Sequence, residues 1–253
     1  MTTLGAIVDS HSTMASELPL IHTSRCESLT SIAASHTLDP SPCDIFNESL
    51  VYLFYGRPAY RSRRGSKYGE SIALCPVCLV FKPHTVSRFL HRVFPCDSGA
   101  VSKAKFEPEL HANDLAELEM NPQIASARRL VSLLFTNNNH YFYGRVQSGA
   151  IFPDGTVGKR YHDLLLRSGP SNYDDRKSAI EVQVNQRIAL KDQLMFVVLP
   201  REFLEEEMIK KTIVNTWNCD AVGYPTFCGD APTAYYSVVR NEVARRFENE
   251  TRL

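Results

Sequence analysis

The chain has 253 residues, 43% hydrophobic and 22% charged, enough apolar material for one large α+β domain that needs no staples. Its 28 basic and 28 acidic residues cancel, so no global field recruits nucleic acid or membrane, and electrostatic recognition must come from local patches. Seven cysteines without repeated spacing argue for a reducing compartment, no run approaches a membrane span, and no basic-then-apolar leader is visible, so a soluble cytoplasmic protein is expected.

Residues 1–17 are small and polar without a sustained period and read as an N-terminal tail, leaving 18–253 as a single domain. Leu18-Pro-Leu-Ile-His-Thr23 reads as a short strand. Ser24-Arg-Cys-Glu27 follows as a capping box, Ser24 accepting from first-turn amides while Glu27 reaches back. Leu29, Ile32 and Ala33 then predict a helix to about His36, which Asp39-Pro-Ser-Pro42 stops. The aromatic run 50–55 predicts a second strand, ended by Gly56-Arg57-Pro58, and the basic stretch 57–67 an exposed loop. Residues 72–81 are a third strand candidate, with Pro76 demoting its middle to an edge or bulge. The Cys75-x-x-Cys78 inside it lacks the second ligand pair of a structural zinc site, so buried thiols and no metal are expected.

Asn121-Pro122 reads as a helix start, with Ile124, Ala127, Leu130, Val131 and Leu134 as the apolar face. Residues 149–177, rich in Gly, Asp, Ser and charge, read as a long loop in which only 162–167 suggests a helical turn. From Ser178 onward, Ile180, Val182 and Val184 alternate with Glu181 and Gln183, a strand with one aliphatic and one polar face. A buried strand over 194–199 follows, then a helix over 201–215 with Glu206/Lys210 and Glu207/Lys211 at i,i+4, and a closing helix over 238–247. The irregular order favours α+β over a doubly wound fold.

Three pieces invite a common chemistry. His22-Thr23-Ser24 stands at a strand end before a helix start; Tyr52, Tyr55 and Arg57 stand where an aromatic strand meets a Gly-Pro turn; Glu181 is a lone carboxylate among aliphatics. Each has a plainer reading by itself: a satisfied histidine with a capping serine, an aromatic core strand with a solvated arginine, a surface carboxylate.

Together, in this order, these pieces resemble the ADP-ribosyltransferase superfamily, most closely its DarT-type branch of nucleic-acid-modifying toxins. The resemblance covers about 20–61, through the strand, the helix and Tyr52 to Pro58, and about 176–200, through Ala179-Ile180-Glu181-Val182-Gln183-Val184. One residue more separates the alanine from the glutamate here than in the family pattern. The resemblance implies an α+β fold with a split mixed and antiparallel sheet flanked by helices, NAD+ as co-substrate, and Glu181 and Arg57 as catalytic residues. Splitting nicotinamide from ribose develops oxocarbenium-like charge while nicotinamide leaves as a neutral base, so the reaction needs a carboxylate rather than a strong acid. By the same resemblance His22 anchors the adenosine-side ribose, Thr23 and Ser24 help position the dinucleotide or the strand end, Arg57 holds the pyrophosphate or helps polarise the site, and Tyr52 or Tyr55 packs on nicotinamide.

Arginine- and asparagine-modifying members carry Glu or Gln two residues before the catalytic glutamate; Ala179 stands there, so neither pattern is present. A nucleic-acid acceptor, a DNA or RNA base, is expected from Arg57, Arg61, Arg63, Arg64 and Lys67 and from Lys159, Arg160 and Arg167. Tyr161 and Tyr173 are expected to stack on an unpaired base. Ordinary solvated loop charges are the plainer alternative. Modification of a protein, hydrolysis of NAD+, and a non-catalytic NAD-cleft module stay open beside it. The DarT-like reading also implies a toxin or phage-defence role and a neutralising antitoxin partner.

Overall fold

The computed structural model describes residues 2–59, 71–167, 175–250 and 252–253. Its strands are β1 (Leu20–Arg25), β2 (Thr37–Leu38), β3 (Ser41–Cys43), β4 (Glu48–Tyr55) and β5 (Pro76–Phe81), then β6 (Arg92–Phe94), β7 (Glu181–Val184), β8 (Ile188–Ala189), β9 (Leu194–Pro200) and β10 (Asp220–Tyr224). The helices are α1 (Leu4–Ser10), α2 (Cys26–Ser35), α3 (Ser98–Ser102), α4 (Leu115–Leu118) and α5 (Ile124–Phe135), then α6 (Asn138–Phe142), α7 (Val157–Leu166), α8 (Arg201–Glu205), α9 (Glu207–Lys211) and α10 (Tyr235–Asn249).

Eight strands form one mixed sheet in the order β10-β9-β5-β1-β4-β7-β6, with β3 laid against β4; β2 and β8 pair separately. Among these ladders only β9–β10 is parallel, because α8 and α9 carry the chain back between them. The chain is thus α+β with a mixed, mainly antiparallel sheet, as the irregular order of elements suggests.

The middle of the sheet is built from apolar, β-branched runs. β5 is buried along its whole length and β9 nearly so, as strands covered on both faces require. Pro76 is the first residue of β5, where a missing ladder donor does no harm, and β5 pairs on both sides with β1 and β9. The edge expected from that proline is therefore not formed, and the register shift of β5 against β9 falls at Val80/Phe81, away from Pro76. β7 likewise lies between β4 and β6 with all four side chains buried, so the supposed polar face of Glu181 and Gln183 is as dry as the aliphatic one.

Three further expectations give way. The N-terminal tail folds as α1, capped by Thr3 through the Ala6 amide, with Leu4 and Val8 fully buried one turn apart against α4, α5 and α7. The long loop over 149–177 contains α7, whose Thr156 caps the Lys159 amide and whose Val157, Tyr161, Leu164 and Leu165 form a buried stripe. The helix over 201–215 is broken at Glu206, which is extended (φ −65°, ψ 116°), though the Glu207–Lys211 pair forms at 2.9 Å. The apolar face of α5 is the one its periodicity gives.

Candidate functional site

β1 pairs with β4 only at Leu20↔Tyr55 and Ile21↔Phe54. It then follows β5 as far as Arg25↔Pro76, while β4 follows β7. The two strands part after Ile21, and the gap is a cleft of about 340 Å³ lined by His22, Thr23, Ser24, Tyr52, Phe54 and Ala59. The first turn of α2 (Glu27, Ser28) and Tyr236 of α10 complete its walls. A second cavity of about 510 Å³ shares His22, Ser24, Ser28 and Tyr52 with the first and continues along α2 to Asp39.

The capping box expected at Ser24 is not formed. Ser24 belongs to β1, and the N-cap is Arg25, whose side chain does not cap but pairs with Glu27 at 3.1 Å. The Cys26 amide is taken by the Cys75 carbonyl at 3.0 Å. Among the described residues no side chain caps the next amides of α2, at the cleft wall, an arrangement that suits an anion.

His22 is half-buried, with Nδ1 2.9 Å from the Tyr52 carbonyl. A carbonyl only accepts, so Nδ1 carries the proton and Nε2 of the neutral ring is an acceptor. Burial pushes the imidazole below its ordinary 6.5, against the opposing pull of the Tyr52 carbonyl. Thr23 is committed within the protein: its Oγ1 donates to the Ala59 carbonyl at 2.6 Å, tying the turn after β4 to β1. Tyr52 presents its ring to the cleft while its hydroxyl donates to Cys43 Sγ at 2.7 Å.

Strand alternation turns Tyr55 away from the cleft. It is fully buried, its hydroxyl accepting from the Leu18 amide at 3.0 Å and donating to the Ser16 carbonyl at 3.4 Å. Phe54, one residue earlier, is the aromatic on the cleft side, and period-two alternation with Tyr52 was the signal for it.

Arg57 is not presented to a ligand. Gly56 takes a left-handed conformation (φ 68°) and donates to the Pro19 carbonyl at 2.8 Å, which folds the arginine inward to 2% exposure. Its Nη1 donates to the Tyr141 carbonyl at 2.9 Å and Ser178 Oγ at 3.2 Å, and the guanidinium lies 5.7 Å from the centre of the Tyr141 ring. The side chain joins the end of β4 to α6 and to the segment leading into β7.

Glu181 lies opposite Phe54 on one side and Phe94 on the other, and is fully buried. Its Oε1 accepts from Ser98 Oγ at 2.6 Å and from Gln183 Nε2 at 2.7 Å. Ser98 opens α3, whose N-cap Asp97 accepts from the Ala100 amide at 2.8 Å. Glu181 does not line the cleft itself; Phe54 and Ala59 line it and pack with Ala179, two residues before the glutamate. Ser98 lies 83 residues away in sequence and Tyr236 is on the last helix, so only the fold brings them here.

The residues assigned to a nucleic-acid acceptor are engaged elsewhere. Lys159 Nζ lies 2.5 Å from Asp163, Arg160 grips Asp114 through two contacts of 2.7 and 2.8 Å, and Arg167 reaches Glu109 at 2.9 Å. Tyr161 is fully buried, donating to the Pro95 carbonyl at 2.7 Å, and its ring cannot meet a base. Tyr60, Arg61, Arg63, Arg64, Lys67 and Tyr173 lie outside the described residues. Arg160→Ala is therefore expected to destabilise the fold by about 2 kcal/mol through the Asp114 it leaves behind. The Arg160 guanidinium holds the Asp114 carboxyl below its ordinary 3.8, so this contribution is present above that value and lost as pH falls below it. Denaturant midpoints of both proteins at pH 7 and pH 3 measure it; a difference that persists undiminished at pH 3 contradicts the assignment.

Cys75 and Cys78 are buried, and burial pushes both thiols up, Cys75 to about 11, so neither is a ready thiolate. Among the described residues no three His, Cys, Asp or Glu side chains are grouped to hold a metal, and no helix is long and apolar enough to cross a membrane. Compared with known proteins, the chain matches no family model and no curated sequence.

Proposed function

We propose that the chain is an ADP-ribosyltransferase of the split-sheet type, which splits NAD+ in the cleft between β1 and β4 with Glu181 as its catalytic carboxylate. One observation carries this reading. The sheet forks at Ile21 and Phe54, and the strand opposite Phe54 supplies a buried carboxylate fixed by two donors.

A dinucleotide needs polar and aromatic groups in a defined order, and the cleft offers them. The uncapped amides of α2 with Arg25 suit a diphosphate. The neutral His22 offers Nε2 to a ribose hydroxyl, and Tyr52, Phe54 and Tyr236 offer aromatic surface to planar rings. Glu181 stabilises positive charge developing at the ribose and orients the acceptor, a role for an ionised carboxylate and not for an acid. Arg57 enters only by holding Ser178, three residues before Glu181. Glu181 is fully buried, so its contact with a ribose in the cleft requires the Phe54–Ala59–Ala179 layer to move aside.

The cleft residues suit the NAD+ donor, and the acceptor is less narrowly defined by the side chains. With Lys159, Arg160 and Arg167 held by carboxylates, a protein acceptor or water competes with the nucleic-acid base that the sequence pointed to. The test is incubation with NAD+ labelled in the adenylate, in separate pools of DNA, RNA and protein. Label fixed to one pool identifies the acceptor, and free labelled ADP-ribose in every pool identifies hydrolysis. Unchanged NAD+ throughout overturns the proposal.

A pH dependence follows from His22. NAD+ affinity is expected to stay flat above the ordinary imidazole value of 6.5 and to fall only below it, where protonation removes the Nε2 acceptor. Binding titrations from pH 5 to 8, alongside a His22→Asn variant, measure this; affinity that already falls above 6.5 contradicts a neutral ring.

A further inference from the structure

We infer that Ser98 and Gln183 are positioning residues that keep the Glu181 carboxylate ionised and fixed in orientation inside a dry sheet. The kinetic part rests on the function proposed above; the titration part does not.

Burying a carboxylate favours its neutral form unless donors reach it. Glu181 is fully buried between Phe54 and Phe94. Two donors converge on a single oxygen: Ser98 Oγ at 2.6 Å and Gln183 Nε2 at 2.7 Å, with Gln183 Nε2 also 3.2 Å from Ser98 Oγ. A hydroxyl has one proton, and since Gln183 Nε2 can only donate to Ser98 Oγ, the serine is free to direct its own proton to the carboxylate. The three side chains form a closed set with one consistent direction of donation.

Gln183 is the more telling member. It is fully buried, and its Oε1 has no partner among the described residues. An unpaired amide oxygen in a dry sheet is destabilising, and a leucine of similar size fills the position without that penalty. A purely structural position in a central strand is therefore poorly served by glutamine. The amide is useful there for what its Nε2 gives to Glu181.

Acidic and titratable groups lie close to Glu181. Asp97, buried just before Ser98, adds a second acidic side chain to the region, and the Cys96 thiol is held protonated by burial, Asp97 and Glu181. On the same sheet face Tyr52 and Arg92 stand opposite Gln183, one pair further along, and Arg92 is already engaged by Glu48. Ser98 Oγ and Gln183 Nε2 are two neutral donors that favour the ionised form at Glu181 Oε1.

The experiment uses the full chain and three variants, Ser98→Ala, Gln183→Leu and Ser98→Thr. Activity that requires ionised Glu181 is lost as pH falls through its pKa. Removing a donor raises that pKa, so the acid limb of the NAD+-cleavage profile is expected to move up by about one pH unit in Ser98→Ala and in Gln183→Leu. Ser98→Thr, which keeps the hydroxyl, is expected to leave the limb in place. In parallel, carboxyl-13C-glutamate labelling follows the Glu181 resonance, identified by its absence in Glu181→Gln, through the same pH range. The same upward shift of its titration is expected whether or not the protein turns over NAD+. The two shifted variants lie on different elements, so failure of one to fold leaves the other to decide. A Glu181 titration identical to wild type in a folded Ser98→Ala or Gln183→Leu overturns the inference. A shifted titration in a protein that leaves NAD+ intact overturns the proposed function and keeps the positioning.

Discussion

Glu181→Gln is expected to lower NAD+ cleavage by about a hundred- to a thousand-fold while leaving NAD+ affinity and the fold nearly unchanged, a loss of about 3–4 kcal/mol of transition-state stabilisation. The amide keeps the shape and still accepts from Ser98 Oγ and Gln183 Nε2, so the buried network survives. What disappears is the negative charge next to the developing ribosyl cation, and in a dry site that charge acts with little screening. Single-turnover rates with a parallel binding titration separate the two effects. A folded glutamine variant with wild-type cleavage moves the catalytic carboxylate away from β7.

The second large effect is on stability. Arg57→Ala is expected to destabilise the fold by about 3–5 kcal/mol, because it removes one donor from the Tyr141 carbonyl and one from Ser178 and leaves a cavity where a large, fully buried side chain stood. Arg57→Lys is expected to recover less than half of this. An ammonium lacks the planar fork that lets the guanidinium donate to Tyr141 and Ser178 while lying near the Tyr141 ring. Denaturant midpoints at constant m-value report the loss. Wild-type stability in Arg57→Lys with a large fall in cleavage contradicts this placement and returns Arg57 to the ligand.

Arg57 also shows where the sequence misleads. Gly56-Arg57-Pro58 reads as a turn, and it is one, but a turn does not say which way the next side chain faces. The Gly56 amide bonded to the Pro19 carbonyl decides that, and Pro19 belongs to a segment 37 residues earlier. The elements β4, β7, β9, α2 and α10 were legible because each carries a run or period long enough to overcome local noise. Alternation at Glu181 correctly separates two faces but does not reveal that both are covered, since β6 and α3 come from a stretch with short, weak patterns. Tyr161 is a different kind of miss: Thr156, Val157, Tyr161 and Leu164 carry an N-cap and a helical stripe that the surrounding Gly and Asp content outweighed. In the cleft wall, His22, Thr23, Ser24 and Tyr52 were legible from the sequence, while the full burial of Glu181 was not. Ser98, Phe54 and Tyr236 depended on pairing and crossing distances that no local pattern encodes.

The proposed function has this cleft split the bond between nicotinamide and ribose. The most direct measurement is proton NMR of NAD+ incubated with the folded protein at neutral pH, with water, DNA, RNA and protein all offered as acceptors. The expected result is free nicotinamide accumulating with time in the wild type, and at least a hundred-fold more slowly in Glu181→Gln. NAD+ signals that stay whole through prolonged incubation at stoichiometric protein contradict the claim.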